Sequence, residues 1–293
     1  MSRLSANLFW EKIMKIAISA ESTNDLSKEL LEKYDIKIIP YEIVHGDKQF
    51  KDGDLTTEEL FALVDQSGQL PKTNALNEYE YTEYFEGLLK EYDAVVHVCL
   101  SSGITSSCGN AVRASSNVKN VYVVDSQTLS TGIGLLLIYA RELAEAGVSP
   151  EEIAKKLDER KAKLQVSFVI ERLDYLFKGG RCNSLAYFGA NLLKLRPRII
   201  LKNGKMGADK KYRGKMEMVV SKYCQDTLDE FNTPDLDKVF ITYTTATEGM
   251  VEAARTALTE RGFKNIYETH AGGTIASHCG GNTIGILYFN DGE

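Results

Sequence analysis

The stretch DAVVHVCLSSGITSSCGNAVRAS, residues 93–115, decides how the chain folds. Its first eight residues are mostly apolar, residues 101–103 predict a tight turn, and residues 104–115 predict a helix. VYVVDS (121–126) and STGIGLLLIYARELAEAG (130–147) repeat the order of strand, loop and helix. Apolar strands without alternation indicate a parallel sheet with both faces covered. Ligands of such sheets bind beyond the carboxyl ends of the strands, which is where the serines of this stretch lie.

The flanking sequence extends the same α/β pattern. KIAISA (15–20) and IKIIP (36–40) predict further strands, and LPKTNALN (70–77) predicts a loop. A new helix begins near Pro150, so we expect an N-terminal α/β domain with a parallel sheet at 15–150 and a mixed α/β domain at 151–293. Residues 1–14 are interpreted as an N-terminal extension.

Composition limits the classes of function. The chain has 293 residues, a formal net charge of −6 and no basic tract, which argues against a nucleic-acid partner. No apolar run reaches the roughly 18 residues of a membrane span, so stable membrane insertion is not expected. The five cysteines are odd in number and form no C-x-x-C pair. They predict reduced thiols in a cytoplasmic protein, without a disulfide frame or a metal site.

The hydroxyl cluster after residue 100 has two interpretations. It comprises Ser101, Ser102, Thr105, Ser106 and Ser107, with Gly103 among them. One or two of these hydroxyls would suffice to cap the following helix. The full set, together with free backbone amides, would form an anion site for a carboxylate or a phosphate.

Three other segments carry candidate binding residues. Thr73 follows Pro71 and Lys72 in the loop at 70–77, and it is either an ordinary connector residue or a second hydroxyl in the same crevice. Arg181 closes the KGGR motif, where Gly179 predicts a helix stop, and its guanidinium suits a carboxylate or phosphate. HAGGTIASHCGGN contains His278 and predicts either a glycine-rich turn with a surface histidine or a close approach of backbone to a ligand.

An enzyme is the alternative hypothesis. A hydrolase or phosphotransferase acting on an acidic small molecule would use the same serine loop and a histidine as the base. The sequence has no G-x-S-x-G elbow, no P-loop and no complete dinucleotide fingerprint. No cofactor is therefore expected.

The order of motifs resembles that of the DegV family of bacterial fatty-acid-binding proteins, over residues 15–289. The resemblance rests on KIAISAESTNDLSKELLEKYDIKIIP, FKDGDL, PKTNALN, LSSGITSS, VYVVDSQTLSTGIGLL, LDYLFKGGR, LLKLRPRIILKNGKM and HCGGNTIGILY. It implies a two-domain α/β protein that holds a long-chain fatty acid in a buried apolar tunnel, non-catalytic by itself. It also implies that Thr73, with Ser101 or Ser102 and the neighbouring Gly103, holds the carboxylate.

The resemblance further implies a possible partner. Some members of the family present the bound acid to a separate ATP-using fatty acid kinase subunit, and the residues that match their exposed carboxyl end are Arg181 and His278. Three motifs depart from the family pattern: residues 20–23 read A-E-S-T for T-D-S-T, residues 73–77 read T-N-A-L-N for T-S-Q-P-S, and residues 278–282 read H-C-G-G-N for H-x-G-P-G. Because altered loops change a docking surface, lipid binding is better supported than kinase partnership.

Overall fold

The computed structural model describes residues 14–182 and 195–292. The strands are β1 (Ile16–Glu21), β2 (Ile36–Ile39), β3 (Glu42–His45), β4 (Lys48–Lys51), β5 (Lys72–Asn74), β6 (Ala94–Cys99), β7 (Val121–Asp125), β8 (Leu164–Val169), β9 (Arg196–Lys202), β10 (Lys205–Tyr212), β11 (Lys238–Tyr243), β12 (Asn265–His270) and β13 (Ile284–Phe289). The helices are α1 (Lys28–Lys33), α2 (Thr57–Ser67), α3 (Glu78–Leu88), α4 (Ser107–Asn117), α5 (Thr131–Glu145), α6 (Pro150–Arg160), α7 (Leu173–Gly179), α8 (Met216–Glu230), α9 (Glu248–Arg261) and α10 (Gly273–Cys279). The apolar sequence NSLAYFGANLLKL (183–195) predicts a further helix, and this segment lies outside the described residues except for Leu195.

The N-terminal half is built on a four-stranded parallel sheet in the order β2-β1-β6-β7. Every residue of β1 and β6 is buried, because helices and the second half of the chain cover the sheet. This confirms the parallel sheet expected from the apolar strands. Helix α4 begins at Ser107, three residues later than the sequence predicts, so residues 101–106 form one long loop after β6.

A second, three-stranded antiparallel sheet follows the order β4-β3-β5. The prediction of a plain loop at residues 70–77 is wrong, because Lys72–Asn74 pairs with β3 along its free edge. The register places Thr73 opposite Ile43. Backbone hydrogen bonds to β3 therefore fix the position of Thr73, which does not lie in an unpaired connector.

The C-terminal half forms a mixed six-stranded sheet in the order β10-β9-β8-β13-β11-β12. β13 runs antiparallel to both of its neighbours, whereas β11 and β12 are parallel. Helices α8 and α9 pack together over one face around a core that includes Val220, Tyr223 and Ile286. The α/β fold class, with a parallel sheet first and a mixed sheet second, is confirmed.

The two halves interlock. Helix α6, which follows the expected boundary at residue 150, packs on β6 and β7 of the first sheet, and the division into domains stays a prediction. Helix α10 packs against α2, β3 and β5, where Ala276 joins a small core with Ile43 and Leu60. The prediction of a glycine-rich turn at 270–282 is wrong for residues 273–279, which form α10. Within the described residues, no helix is long and apolar enough to cross a bilayer.

Candidate functional site

A cavity of about 410 Å³ opens at the carboxyl ends of the parallel strands. Residues of the loops that follow β2, β6 and β7 meet residues of α7 and α10 there. The walls are formed by Tyr41, Thr73, Ala75, Leu100, Ser102, Gly103, Ile104, Thr105, Ser106, Leu129, Leu176, Arg181, Met206, Thr274, Ile275, His278 and Cys279. Five of the six residues proposed from the sequence line this cavity, and Ser101 does not.

The serine loop is held by its own hydroxyl groups. The buried Ser101 Oγ donates to the carbonyl oxygen of Gly204 at 2.7 Å and accepts the amide of Gly103 at 3.2 Å. Ser102 donates through its hydroxyl at 2.5 Å and its amide at 3.1 Å to the two carboxylate oxygens of Asp125. Both serines thus have protein partners, and Ser101 supports the loop rather than the cavity.

Two partners of this loop were not identified from the sequence. Gly204 forms the turn between β9 and β10, which the Asn203-Gly204 pair predicts, but nothing in the sequence places that turn on the serine loop. Asp125 ends β7, next to β6 in the sheet, and this adjacency was the available signal. At Gly103 a Cβ atom would lie 2.4 Å from the carbonyl oxygen of Gly204, so only glycine permits this approach.

Thr73 and His278 form the polar contact at one end of the cavity. Thr73 Oγ1 lies 2.9 Å from His278 Nε2, and His278 Nδ1 is buried without a hydrogen-bond partner. Burial and the nearby Arg181 guanidinium lower the pKa of His278 to about 4, so the imidazole is neutral at pH 7. A proton on Nδ1 would be a buried donor without an acceptor. We therefore infer that Nε2 carries the proton and donates it to Thr73, which leaves the threonine hydroxyl free to donate to an anion.

Glycines of the KGGR motif shape this end of the cavity. The left-handed residue after α7 is Gly180, with a φ of 70°, and not Gly179 as the sequence predicts. Gly179 instead packs against the histidine, because a Cβ there would lie 2.7 Å from His278 Nδ1. The motif thus brings Arg181 and the imidazole together.

An outer cavity of about 450 Å³ adjoins the first. Thr73, Arg181 and His278 line both cavities, and Lys72 and Lys178 line the outer one. Arg181 is exposed and donates to the carbonyl oxygen of Gly179. No carboxylate of the described residues pairs with it, so its charge is available to an acidic ligand at the junction.

Comparison with known proteins identifies the family. The sequence model of the DegV family, a family described as uncharacterised, matches residues 15–291. The chain belongs to the DegV family. A protein of Thermotoga maritima named fatty acid-binding protein is 32% identical over 285 residues, which are 93% of this chain and 97% of that protein.

Solved structures of other DegV-family proteins have the same fold. The structure of a member from Thermus thermophilus, reported for its fatty acid binding, has a TM-score of 0.84 and 25% identity, and the match covers 94% of this chain and 99% of that one. DegV of Bacillus subtilis, described as a fatty acid binding protein, has a TM-score of 0.83 and 27% identity over the same shares. A stearic acid-binding protein from Eubacterium ventriosum has a TM-score of 0.80 at 26% identity, covering 94% and 98%.

A buried polar cluster lies beneath the serine loop of this DegV-family chain. The carboxylate of Glu21 accepts the Tyr81 hydroxyl at 2.5 Å and the amide of Leu100 at 2.9 Å. Glu21, His97 and Cys99 each have a side-chain atom that can bind a metal ion, and these three atoms lie within 4.8 Å of one another. Among the described residues, this group has the spacing of a metal site. Since both carboxylate oxygens already have protein donors, we assign the cluster to holding the first amide of the loop.

A second buried carboxylate joins three segments behind the cavity. Asp25 accepts the hydroxyl of Ser130 at 2.5 Å and the amide of Gly272 at 2.8 Å. Burial raises the pKa of Asp25 well above its ordinary value, although these two hydrogen bonds act to lower that pKa. The contact fixes the start of α10, and with it the position of His278.

Proposed function

We propose that this chain binds a long-chain fatty acid, with its acyl chain in the 410 Å³ cavity and its carboxylate at Thr73. The observation that carries the proposal is the Thr73–His278 pair, which turns a threonine hydroxyl into a donor at the junction of the inner and outer cavities. The fatty-acid-binding relatives support the ligand class. Each methylene buried is worth about 0.8 kcal/mol, so the acyl chain supplies most of the affinity and the polar end sets its direction.

The carboxylate site follows from which donors are free. Thr73 can donate its hydroxyl, and Arg181 donates to the carbonyl oxygen of Gly179 and supplies a charge that no described carboxylate neutralises. Ser102 lines the cavity, but its hydroxyl must leave Asp125 before it can donate to a ligand. We therefore assign the larger contribution to Thr73, a smaller one to Ser102 and Gly103, and a supporting role to Ser101.

The enzyme hypothesis receives less support from this geometry. Neither Ser101 nor Ser102 bonds to a histidine, and Ser102 faces an aspartate instead. The histidine at the cavity bonds to Thr73. Among the described residues, the serine loop therefore lacks the hydrogen-bonded histidine that the enzyme hypothesis requires as its base.

Presentation to an ATP-using fatty acid kinase subunit is the finer proposal. The outer cavity supports it, because Lys72, Lys178 and Arg181 surround the space directly beyond the carboxylate site. Cations so placed would stabilise the charge that develops in phosphoryl transfer. ADP release that needs this chain, the fatty acid and a kinase subunit together would support it, and release unaffected by Arg181→Ala would contradict it. We propose the cytoplasm as its compartment, because reduced thiols are typical there and four cysteines are free and buried, namely Cys99, Cys108, Cys224 and Cys279.

The first experiment compares hexadecanoic acid with hexadecanol in the wild type, Thr73→Val and Ser102→Ala. We expect Thr73→Val to weaken binding of the acid about tenfold and to leave the alcohol unchanged, since one hydrogen bond to a charged group is lost. Ser102→Ala should weaken binding of the acid by less than about threefold. Thr82→Val is the control, because Thr82 bonds to Glu78 on α3 away from both cavities. An equal loss of affinity for the acid and for the alcohol in Thr73→Val would refute the assignment of the carboxylate site to Thr73.

A further inference from the structure

The inner cavity contains a hydroxyl that the carboxylate site does not use. Thr274 lines the cavity, is only 4% exposed, and its Oγ1 has no hydrogen-bond partner. A buried hydroxyl without a partner costs free energy comparable to a lost hydrogen bond. Thr23 is also buried with an unpartnered hydroxyl, but it lines none of the described cavities. What distinguishes Thr274 is therefore that this residue borders the ligand space.

Other residues that line the inner cavity also carry hydroxyl groups. Tyr41 OH is 3.3 Å from Thr105 Oγ1, and both residues line the inner cavity. The Tyr41 backbone is anchored near the start of α10, since its carbonyl accepts the amide of Asp52, and an Asp52 oxygen lies 3.2 Å from where a Cβ of Gly272 would be. Tyr41 and Thr105 thus add two hydroxyl groups to the lining of the inner cavity.

Thr274 lies a short distance from the carboxylate site along α10. Thr274 and His278 are four residues apart on α10, which places them on one face of the helix about 6 Å apart along its axis. A ligand held at Thr73 and His278 would pass Thr274 within the first few carbons of its acyl chain. An unsubstituted chain there would leave the threonine hydroxyl unsatisfied against methylene groups.

We propose that the cavity selects fatty acids that carry a hydroxyl group near the carboxyl end, with Thr274 as the residue that recognises it. This inference rests on the proposed fatty-acid binding and names the class of acid. A ligand hydroxyl can both donate and accept, so it can satisfy the Thr274 hydroxyl in either role.

The test is a competition assay with hexadecanoic, 2-hydroxyhexadecanoic and 3-hydroxyhexadecanoic acids against a fluorescent fatty acid. We expect at least one hydroxy acid to bind the wild type about three- to tenfold more tightly than hexadecanoic acid. Thr274→Val keeps the side-chain shape and should abolish this preference, with the affinity for hexadecanoic acid unchanged or higher. Thr274→Ser should keep it.

Thr23→Val is the matched control and should keep the preference, because it removes a buried, unpartnered hydroxyl outside the cavity. Equal affinities of the wild type for all three acids, as expected if a water molecule satisfies Thr274, would overturn the inference and leave fatty-acid binding intact. A preference that survives in Thr274→Val would also overturn it. Failure of the wild type to bind any of the acids would overturn the proposed function itself.

Discussion

Replacing Gly103 by alanine tests the contact between the serine loop and the β9–β10 turn. The new Cβ would lie 2.4 Å from the carbonyl oxygen and 3.0 Å from the carbonyl carbon of Gly204. These are backbone atoms, which cannot rotate away as the end of a long side chain can. Either the serine loop or the turn must move, and movement of either one breaks the hydrogen bond from Ser101 to Gly204.

The expected loss of stability has two parts. Overpacking of this kind typically costs about 1–3 kcal/mol, and loss of a buried hydrogen bond adds about 0.5–1.5 kcal/mol. Gly103→Ala should therefore lower the free energy of unfolding by roughly 1.5–4.5 kcal/mol. Urea unfolding followed by far-ultraviolet circular dichroism measures this as a lower midpoint. Because Ser102 and Gly103 line the cavity, the affinity for hexadecanoic acid should fall as well.

Gly109→Ala is the matched control in the adjoining helix. Gly109 lies inside α4, and its Cβ would meet only an Arg113 nitrogen at 3.6 Å. Alanine is favoured over glycine in a helix by about 0.8–1.0 kcal/mol, so this variant should be more stable than the wild type. If Gly103→Ala unfolds at the same urea concentration as the wild type, the close approach of the two backbones is not a constraint and the reasoning fails.

Three further predictions concern the cavity and its support. Burial lowers the pKa of His278 from 6.5 to about 4. The free energy of unfolding should therefore fall by about 3 kcal/mol as the pH decreases from 6.5 to 4, because only the unfolded chain binds the proton readily. In urea titrations, His278→Gln should remove this part of the pH dependence. Asp25→Ala removes the acceptor for Ser130 and Gly272, and calorimetry should show a destabilisation of roughly 2–4 kcal/mol, whereas a melting temperature equal to that of the wild type would contradict the joining role. Glu21→Ala removes the acceptor of both the Tyr81 hydroxyl and the Leu100 amide, so hydrogen exchange at the Leu100 amide should accelerate, and unchanged protection would exclude the role of Glu21 in holding the loop.

Much of the fold was accessible from local patterns. The apolar runs at β1 and β6 predicted buried parallel strands, because a sheet covered on both faces needs no polar alternation. The strand at Lys72–Asn74 was not predictable, since three polar residues become a strand only where a partner edge is free. The helix at Gly273–Cys279 was missed because its glycines suggested a turn, whereas they permit close packing on Ile43 and Asp52.

The candidate site was predictable in its residues but not in its contacts. Thr73, Ser102, Gly103, Arg181 and His278 line one cavity, as the order of motifs implied. The hydrogen bond between Thr73 and His278 joins residues 205 positions apart. No local sequence pattern predicts a contact between residues so far apart in the chain. The contact of Ser101 with Gly204 and the unpartnered hydroxyl of Thr274 could not be predicted for the same reason, because both depend on how the two halves of the chain pack together.

The placement of α10 determines when the N-terminal half can be completed on the ribosome. Ile43 and Leu60 share a small core with Ala276, so their apolar side chains lack their full cover until residues 273–279 have been made. At about 5–20 residues per second, that delay is roughly 10–40 s after Leu60 is added. His278 arrives with the same helix, so the cavity closes late in synthesis, and the nascent protein carries an uncovered apolar patch throughout the interval.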